Sequence, residues 1–254
     1  MYGGFGSFLF TGVAGLARSP GSRGWQSPVF RPAAFTHPAI TSASASVDTP
    51  IGLVAISWQQ APPTPAACAF GVQGGPHLQL QCVSKSVAAP VFTGVRFASY
   101  GLPSGDCASG FARNTSCDDS NTTANVAKAC TGKPACEVDA SGFGDPDPCP
   151  GFLKEIAVQL DGPCDAVILL RVILSVPVGA RATAVLPLGA GRTAAGVSVS
   201  EAASGAFVWA AGAFVPGTAG VLGASAGPPG TAPVGQAAVV LSLSSGSYSF
   251  DVLG

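Results

Sequence analysis

The sequence predicts a mainly β protein: a C-terminal β-sandwich interrupted by a small disulfide-rich module, with one helix at the N-terminus. Three observations predict it. The 254 residues include 34 Gly and 22 Pro, the punctuation of many short strands joined by turns. Only 10% of the residues are charged, against ~25% in an average domain. All eight Cys fall between Cys68 and Cys164, so one compositionally distinct module lies inside an Ala/Gly/Val-rich host.

Charge sharpens that division. Lys+Arg 12 against Asp+Glu 13 gives a net charge of −1, without the basic surplus of a nucleic-acid binder or an acidic tail. No nucleic-acid partner is expected. Ten of the thirteen acidic residues, Asp106 to Asp165, and all four lysines, Lys85 to Lys154, fall in the Cys-bearing window.

The chain opens on "MYGGFGSFLFTGVAGL", in which Phe5, Phe8, Leu9, Val13 and Leu16 recur at three- and four-residue intervals. That spacing predicts a helix with one buried face, stopped by Pro20, Gly21 and Gly24. No Lys or Arg precedes the run to make it a secretory leader, and it is shorter than the ~20 apolar residues that span a bilayer. No membrane partner is expected. "SPVFRPAAF" reads as extended chain, and "GLVAISW" alternates Val54, Ile56 and Trp58 with Leu53, Ala55 and Ser57, a strand. "QQAPPTPAA" is a stiff connector into the Cys module.

Beyond Cys164 the host resumes. "AVILLRVILSVPVGARATAVLPL" contains two β-branched runs around "PVGA" and predicts a hairpin. "VSVSEAASGAFVWAAGAFV" and "QAAVVLSLSSGSYSFDVLG" predict two further strand pairs, and "PGTAGVLGASAGPPGTAPVG" a loop.

An even number of Cys in about a hundred residues reads as a disulfide framework and an oxidising compartment. The rival, a zinc site, lacks any Cys-x-x-Cys pair and has only His37 and His77 to draw on. Neither metal nor cofactor is expected. Asn114-Thr115-Ser116 and Asn121-Thr122-Thr123 are glycosylation acceptors, which agrees with a secreted or secretory-pathway protein. Three functional patterns are set aside. "GASAG" at 223–227 has no His after it, as a nucleophile elbow requires. "GAGRTA" at 189–194 lacks the helix and the acidic residue of a dinucleotide site and reads as a turn. Asp145 and Asp147 sit two residues apart between prolines, an unsuitable spacing for glycosidase carboxylates.

The module runs "CAFGVQGGPHLQLQC", "VRFASYGLPSGDC", "NTSC", "AKACTGKPAC" and "FGDPDPCPGFLKEIAVQLDGPC". It resembles the galactose/rhamnose-binding lectin domain of the sea-urchin egg lectin (SUEL) type, in the version appended to plant β-galactosidases. The resemblance covers about residues 67 to 164, with all eight Cys in order. It implies a compact domain with one helix at "TTANVAKAC" and bridges joining Cys68 to Cys107, Cys82 to Cys164, Cys117 to Cys149 and Cys130 to Cys136. Sugar-binding members use a Tyr-Gly-Arg motif, a Gly-Asp-Pro-Cys motif, a Glu after the first Cys and a Lys after the seventh. Here Tyr100, Gly101, Asp147 and Lys154 match and are the candidate carbohydrate-binding residues. Leu102 stands for the Arg and Ala69 for the Glu, and "DPDPC" carries an extra Asp-Pro. The partner implied is a galactose- or rhamnose-containing glycan.

The host carries a second resemblance. "MYGGFGSFLFTGVAGL", "SPGSRGW" and "ITSASASVDTPIGLVAISW", with "VILSVPVGARATAVLPL", "VSVSE" and "SSGSYSFDV" after the module, resemble the C-terminal part of α-L-rhamnosidases. The implied organisation is a last barrel helix over 1–24, a discontinuous sandwich over 25–60 and 165–254, and the lectin domain over 66–164. The hydrolytic carboxylates of that family lie on a helical barrel. The resemblance therefore implies a carbohydrate-binding chain that hydrolyses nothing alone and whose covalent partner is an N-terminal catalytic barrel. Its rivals are a structural, non-binding appendage, a truncated gene product and an independent secreted lectin.

Overall fold

The computed structural model describes residues 3–60, 67–139, 147–228, 230–232 and 235–254. Most of the proline-rich connector, and Gly144 and Asp145 of the "FGDPDPC" segment, lie outside them. The chain divides into two compact units, 1–63 with 168–254, and 64–167. The fold is mainly β, with one helical segment at the N-terminus.

Helix α1 (Gly3–Phe8) runs into a π-helical turn over Leu9–Ala14. It stops at Gly15 (φ 85°), earlier than the apolar spacing predicts. A Cβ on Gly15 would collide with the Arg31 carbonyl, so only glycine lets the chain turn here into a strand. That strand, β1 (Leu16–Arg18), pairs with β2 (Pro28–Phe30), setting Leu16 opposite Phe30 with both fully buried. Leu16 therefore packs from a strand, while Phe5, Phe8 and Leu9 are exposed. The next strands, β3 (Ser42–Thr49) and β4 (Gly52–Gln60), are antiparallel. Val54, Ile56 and Trp58 of β4 face inward at the period of two read from the sequence.

In the second unit, β5 (Cys68–Val72), β6 (Leu78–Gln81), β7 (Gly94–Gly101), β8 (Ser104–Asp106) and β9 (Gly110–Ala112) precede helix α2 (Thr122–Cys130). Strands β10 (Ala135–Val138) and β11 (Glu155–Asp161) follow it. Strand β11 is central, with β5 and β7 antiparallel on either side; β6 pairs with β10 and β8 with β9. The stripe Thr122, Val126, Cys130 buries one side of α2. Val126 and Cys130 share a core with Leu80, Phe92, Tyr100, Ile156 and Val158. Four disulfides staple the unit: Cys68–Cys107, Cys82–Cys164, Cys117–Cys149 and Cys130–Cys136. So small a core needs such staples, and their number places the protein in an oxidising, extracellular or secretory environment.

The first unit then resumes with β12 (Ile168–Val176), β13 (Ala182–Pro187), β14 (Ser198–Glu201), β15 (Phe207–Ala210), β16 (Ala213–Phe214), β17 (Val221–Ala226), β18 (Ala238–Leu243) and β19 (Gly246–Leu253). A seven-stranded sheet, ordered β16-β15-β14-β19-β12-β4-β3, accompanies a five-stranded one, ordered β1-β2-β13-β18-β17. Their inner faces share one core, with Trp58, Leu170, Leu174 and Phe250 from the first sheet and Phe30, Leu186, Leu241 and Leu243 from the second.

Two expected pairings are replaced. Strands β12 and β13 do not form a hairpin, because both edges of β12 are taken by β4 and β19. The "PVGA" turn instead carries the chain from one sheet to the other, so two apolar faces meet across the core. The same holds for β18 and β19. The segment read as loop contains β17, which pairs with β18. "GASAG" lies mostly in that strand, and "GAGRTA" ends in a single 3-10 turn. Among the described residues, no helix is long and apolar enough to cross a membrane.

Candidate functional site

Strand β7 ends at Tyr100 and Gly101, which lie opposite Ile156 and Glu155 of β11. Lys154 immediately precedes β11. The ends of these two antiparallel strands bring Tyr100, Gly101 and Lys154 to one edge of the sheet although they are more than fifty residues apart in sequence.

The 117–119 segment brackets that edge. Gly101 bridges to Asp118, the Leu102 N–H donates to the Cys117 carbonyl (3.1 Å), and the Asp119 N–H donates to the Tyr100 carbonyl (2.9 Å). A Cβ on Gly101 would run into the Cys117 carbonyl; the close approach explains the glycine. Asp118 is held in turn by an ion pair with Arg113 and by the Ser99 hydroxyl at 2.5 Å. Because Cys117 is bonded to Cys149, the same segment ties down the loop carrying Asp147.

Asp147 uses its two carboxylate oxygens separately. Oδ1 accepts the Cys149 N–H at 2.9 Å, closing an Asx turn, and Oδ2 accepts the Lys154 Nζ at 2.6 Å. These bonds, led by the lysine, hold the Asp147 carboxyl below its ordinary pKa. The lysine side chain is buried while the aspartate reaches solvent. Tyr100 is buried, with its ring in the core. Burial first, then the charges of Asp147, Asp119 and Asp139, raise its pKa. The hydroxyl therefore remains protonated, in a field set by carboxylates.

The four candidate residues thus converge, with unequal access. Asp147 is the exposed group, Lys154 holds it from a buried position, Tyr100 lies in the core, and Gly101 allows the close approach of the 117–119 segment. Leu102 is half-buried beside Gly101. Ala69 packs against the core opposite Val158. Asn114 and Asn121 are exposed. Among the described residues, no group of three or more His, Cys, Asp or Glu side chains is arranged to hold a metal ion.

Two neighbours were not singled out from sequence. Phe152 is 61% exposed in the turn between Cys149 and Lys154, an apolar side chain two residues before the lysine. The signal was legible: "GFLKE" sets two large apolar residues in a turn, with nothing to bury them. Gln73 continues β5 by one residue and pairs with Lys154. Its N–H donates to the Lys154 carbonyl at 2.8 Å, and its side-chain Oε1 accepts the Lys154 N–H at 3.3 Å.

Beta-galactosidase 6 of Oryza sativa subsp. japonica is 36% identical over 85 residues, 34% of this chain and 9% of that protein. Beta-galactosidase 8 of Arabidopsis thaliana is 36% identical over 84 residues, 33% of this chain and 9% of that protein. The chain thus spans about a tenth of the length of these relatives. The structure of alpha-L-rhamnosidase from Dictyoglumus thermophilum aligns with 95% of this chain and 12% of its own, at 13% identity and a TM-score of 0.37, a likeness too loose to carry an argument. Residues 80–162 match the D-galactoside/L-rhamnose binding SUEL lectin domain. The disulfide-rich unit therefore carries, over those residues, the sequence pattern of a SUEL lectin domain.

Proposed function

We propose that the disulfide-rich unit binds a neutral galactosyl or rhamnosyl residue at the edge formed by Tyr100, Gly101, Asp147 and Lys154. The match to the SUEL lectin domain over 80–162 supports carbohydrate binding in general. The observation that carries the particular site is the Asp147–Lys154 pair, in which a buried ammonium fixes an exposed carboxylate. A carboxylate so held can accept hydrogen bonds from adjacent sugar hydroxyls, while the ammonium, with three donors, can serve another ligand oxygen. Phe152 supplies the apolar surface that covers a sugar's C–H face. The carboxylates around Tyr100 favour a neutral sugar over a uronic acid.

The test is titration calorimetry of the full chain with methyl galactoside and methyl rhamnoside. Binding that disappears in Asp147→Ala supports the site; unchanged binding removes it. A second reading has its own observation, since Lys154 already has a partner and could be a clip for the 147–154 loop. In that case neither sugar binds the wild-type chain.

The same reading makes this chain the C-terminal part of a longer, α-L-rhamnosidase-like protein, with residues 1–24 a remnant of its barrel. The exposed Phe5, Phe8 and Leu9 support it as a face suited to packing against further chain. The lectin unit would then hold a catalytic barrel near its glycan substrate. Genomic sequence running in frame upstream of Met1 into a helical barrel is the expected finding; a stop codon there overturns it. Asn114 and Asn121 complete the reading as glycosylation sites of a secreted glycoprotein.

A further inference from the structure

We infer that Gln73 is a specificity-determining residue of the proposed sugar site, which it serves by donating a hydrogen bond from Nε2 to a ligand hydroxyl. The inference rests on the carbohydrate-binding reading above and adds an arm to it that the sequence motifs do not contain.

The argument starts from register. Strand β5 lies antiparallel to β11, with Cys68 opposite Gln159, Phe70 opposite Ala157 and Val72 opposite Glu155. One step further, Gln73 falls opposite Lys154, and the bond from its N–H to the Lys154 carbonyl shows that the ladder extends to this row. Side chains two residues apart share a face. Gly71 and Gln73 therefore lie on the side of the sheet that carries Ile156 and Lys154. Ile156 is fully buried in the core beside Tyr100; the Gln73 row lies just beyond it, where the strand reaches solvent. Gln73 is exposed.

The amide orientation follows from chemistry. A backbone N–H can only donate, so the atom facing the Lys154 N–H is Oε1. That commits the oxygen and turns Nε2, with its two donors, away from the strand. Asp147 offers acceptors and Gln73 offers donors, and both hold Lys154, the aspartate at Nζ and the glutamine at the backbone N–H. A sugar hydroxyl both donates and accepts, so the two arms suit the same ring.

The same register sets Ala69, where Ala stands for the family's Glu, apart from the Gln73 row. Ala69 lies opposite Val158, four residues from Lys154 along β11, or about 13 Å at strand rise. Its side chain packs against the core.

The experiment is calorimetry on the full chain with galactose, rhamnose and their monodeoxy analogues, using wild type, Gln73→Ala, Gln73→Glu and Asp147→Ala. Gln73→Glu keeps an oxygen for the Lys154 N–H and removes the Nε2 donors, so a positioning effect and a direct contact separate. The expected result is about tenfold weaker binding in both Gln73 variants, the yield of one lost hydrogen bond. That loss should vanish against one deoxy analogue, the one lacking the hydroxyl Gln73 serves. If Asp147→Ala loses binding while both Gln73 variants keep wild-type affinity, or lose it equally against every analogue, the role of Gln73 is overturned and the site stands. If the wild type binds none of the sugars, the reading beneath the inference falls, and the inference with it.

Discussion

The Lys154 side chain is 4% exposed, yet the Asp147 carboxylate it meets at 2.6 Å is 44% exposed. The pair is therefore asymmetric: the lysine is bound into the fold and the aspartate is presented to solvent. Replacing Asp147 by Ala leaves a buried ammonium without its carboxylate, the costly half of breaking such a pair. Replacing Lys154 by Met keeps the aliphatic stem packed and removes the charge that needs a partner. Thermal melts should show Asp147→Ala lowering Tm by about 4 °C and Lys154→Met leaving it within about 2 °C. Sugar binding should fail in both, because each removes one half of the hydrogen-bonding pair. A Lys154→Met variant that binds like wild type would make the lysine structural only.

The pH dependence of binding follows from the same contact. Asp147 is held below its ordinary pKa of 3.8, first by the Lys154 hydrogen bond and then by the Cys149 N–H. A depressed carboxylate contributes fully above the unfolded value and is lost as pH falls through the lower folded one. Tyr100 is shifted above 10.0, so it stays protonated on the alkaline side. Affinity measured from pH 5 to 9 should be flat, with a fall only below about pH 4. His77 lies against Glu137 and Asp139, and Asp139 is among the charges acting on Tyr100. Repeating the titration in His77→Gln assigns the acid step to Asp147 if the step is unmoved.

The bridges divide between stability and site. Cys82–Cys164 closes the longest loop, with a sequence separation of 82, and contributes about 4 kcal/mol in the chain-entropy estimate. Cys117–Cys149 instead fastens the Asp147 loop to the segment that hydrogen-bonds Tyr100 and Leu102. Replacing Cys82 and Cys164 together by Ala should lower denaturant stability strongly, with the remaining folded protein still binding sugar. Replacing Cys117 and Cys149 should weaken binding at least tenfold in protein that stays folded. Equal affinity losses in the two double variants, measured under folding conditions, would contradict that division.

What the sequence made legible was local. The Thr122–Cys130 helix is implied by the resemblance to the lectin domain, and β4 follows from the alternation through Val54, Ile56 and Trp58. Pairing was not local, so it was not legible. The turn after Val176 looks the same whether it joins neighbours in one sheet or crosses between two; the edges of β12 were already claimed by β4 and β19, and that decided it. Strand β17 was hidden by its glycines and alanines, which carry little strand preference until β18 supplies a partner. At the site, Asp147 and Lys154 could be named from motif spacing, whereas Gln73 could not. Its place beside Lys154 depends on the registers of β5 and β11, which lie more than eighty residues apart.

The carboxylates about the site also predict which sugars it refuses. Asp119, Asp139 and Asp147 all act on the Tyr100 hydroxyl in the same sense. Lys154 is the cation paired with Asp147 there, so a ligand at the proposed site would have Asp119 and Asp139 as carboxylates beyond that ion pair. Asp119 is also committed to local bonds with the Asn121 N–H and the Thr122 hydroxyl, which fix its charge in place. A galacturonate differs from a galactoside by a carboxylate, which Asp119 and Asp139 repel; a neutral galactoside carries no such penalty. Galactoside affinity should therefore change little between 20 and 500 mM salt, whereas galacturonate should bind at least tenfold more weakly at low salt and recover part of that deficit as screening shortens the Debye length. Asp119→Asn should narrow the gap at low salt and leave galactoside binding near wild type. Equal affinity for the two sugars at low salt would show that the ligand sits away from these carboxylates.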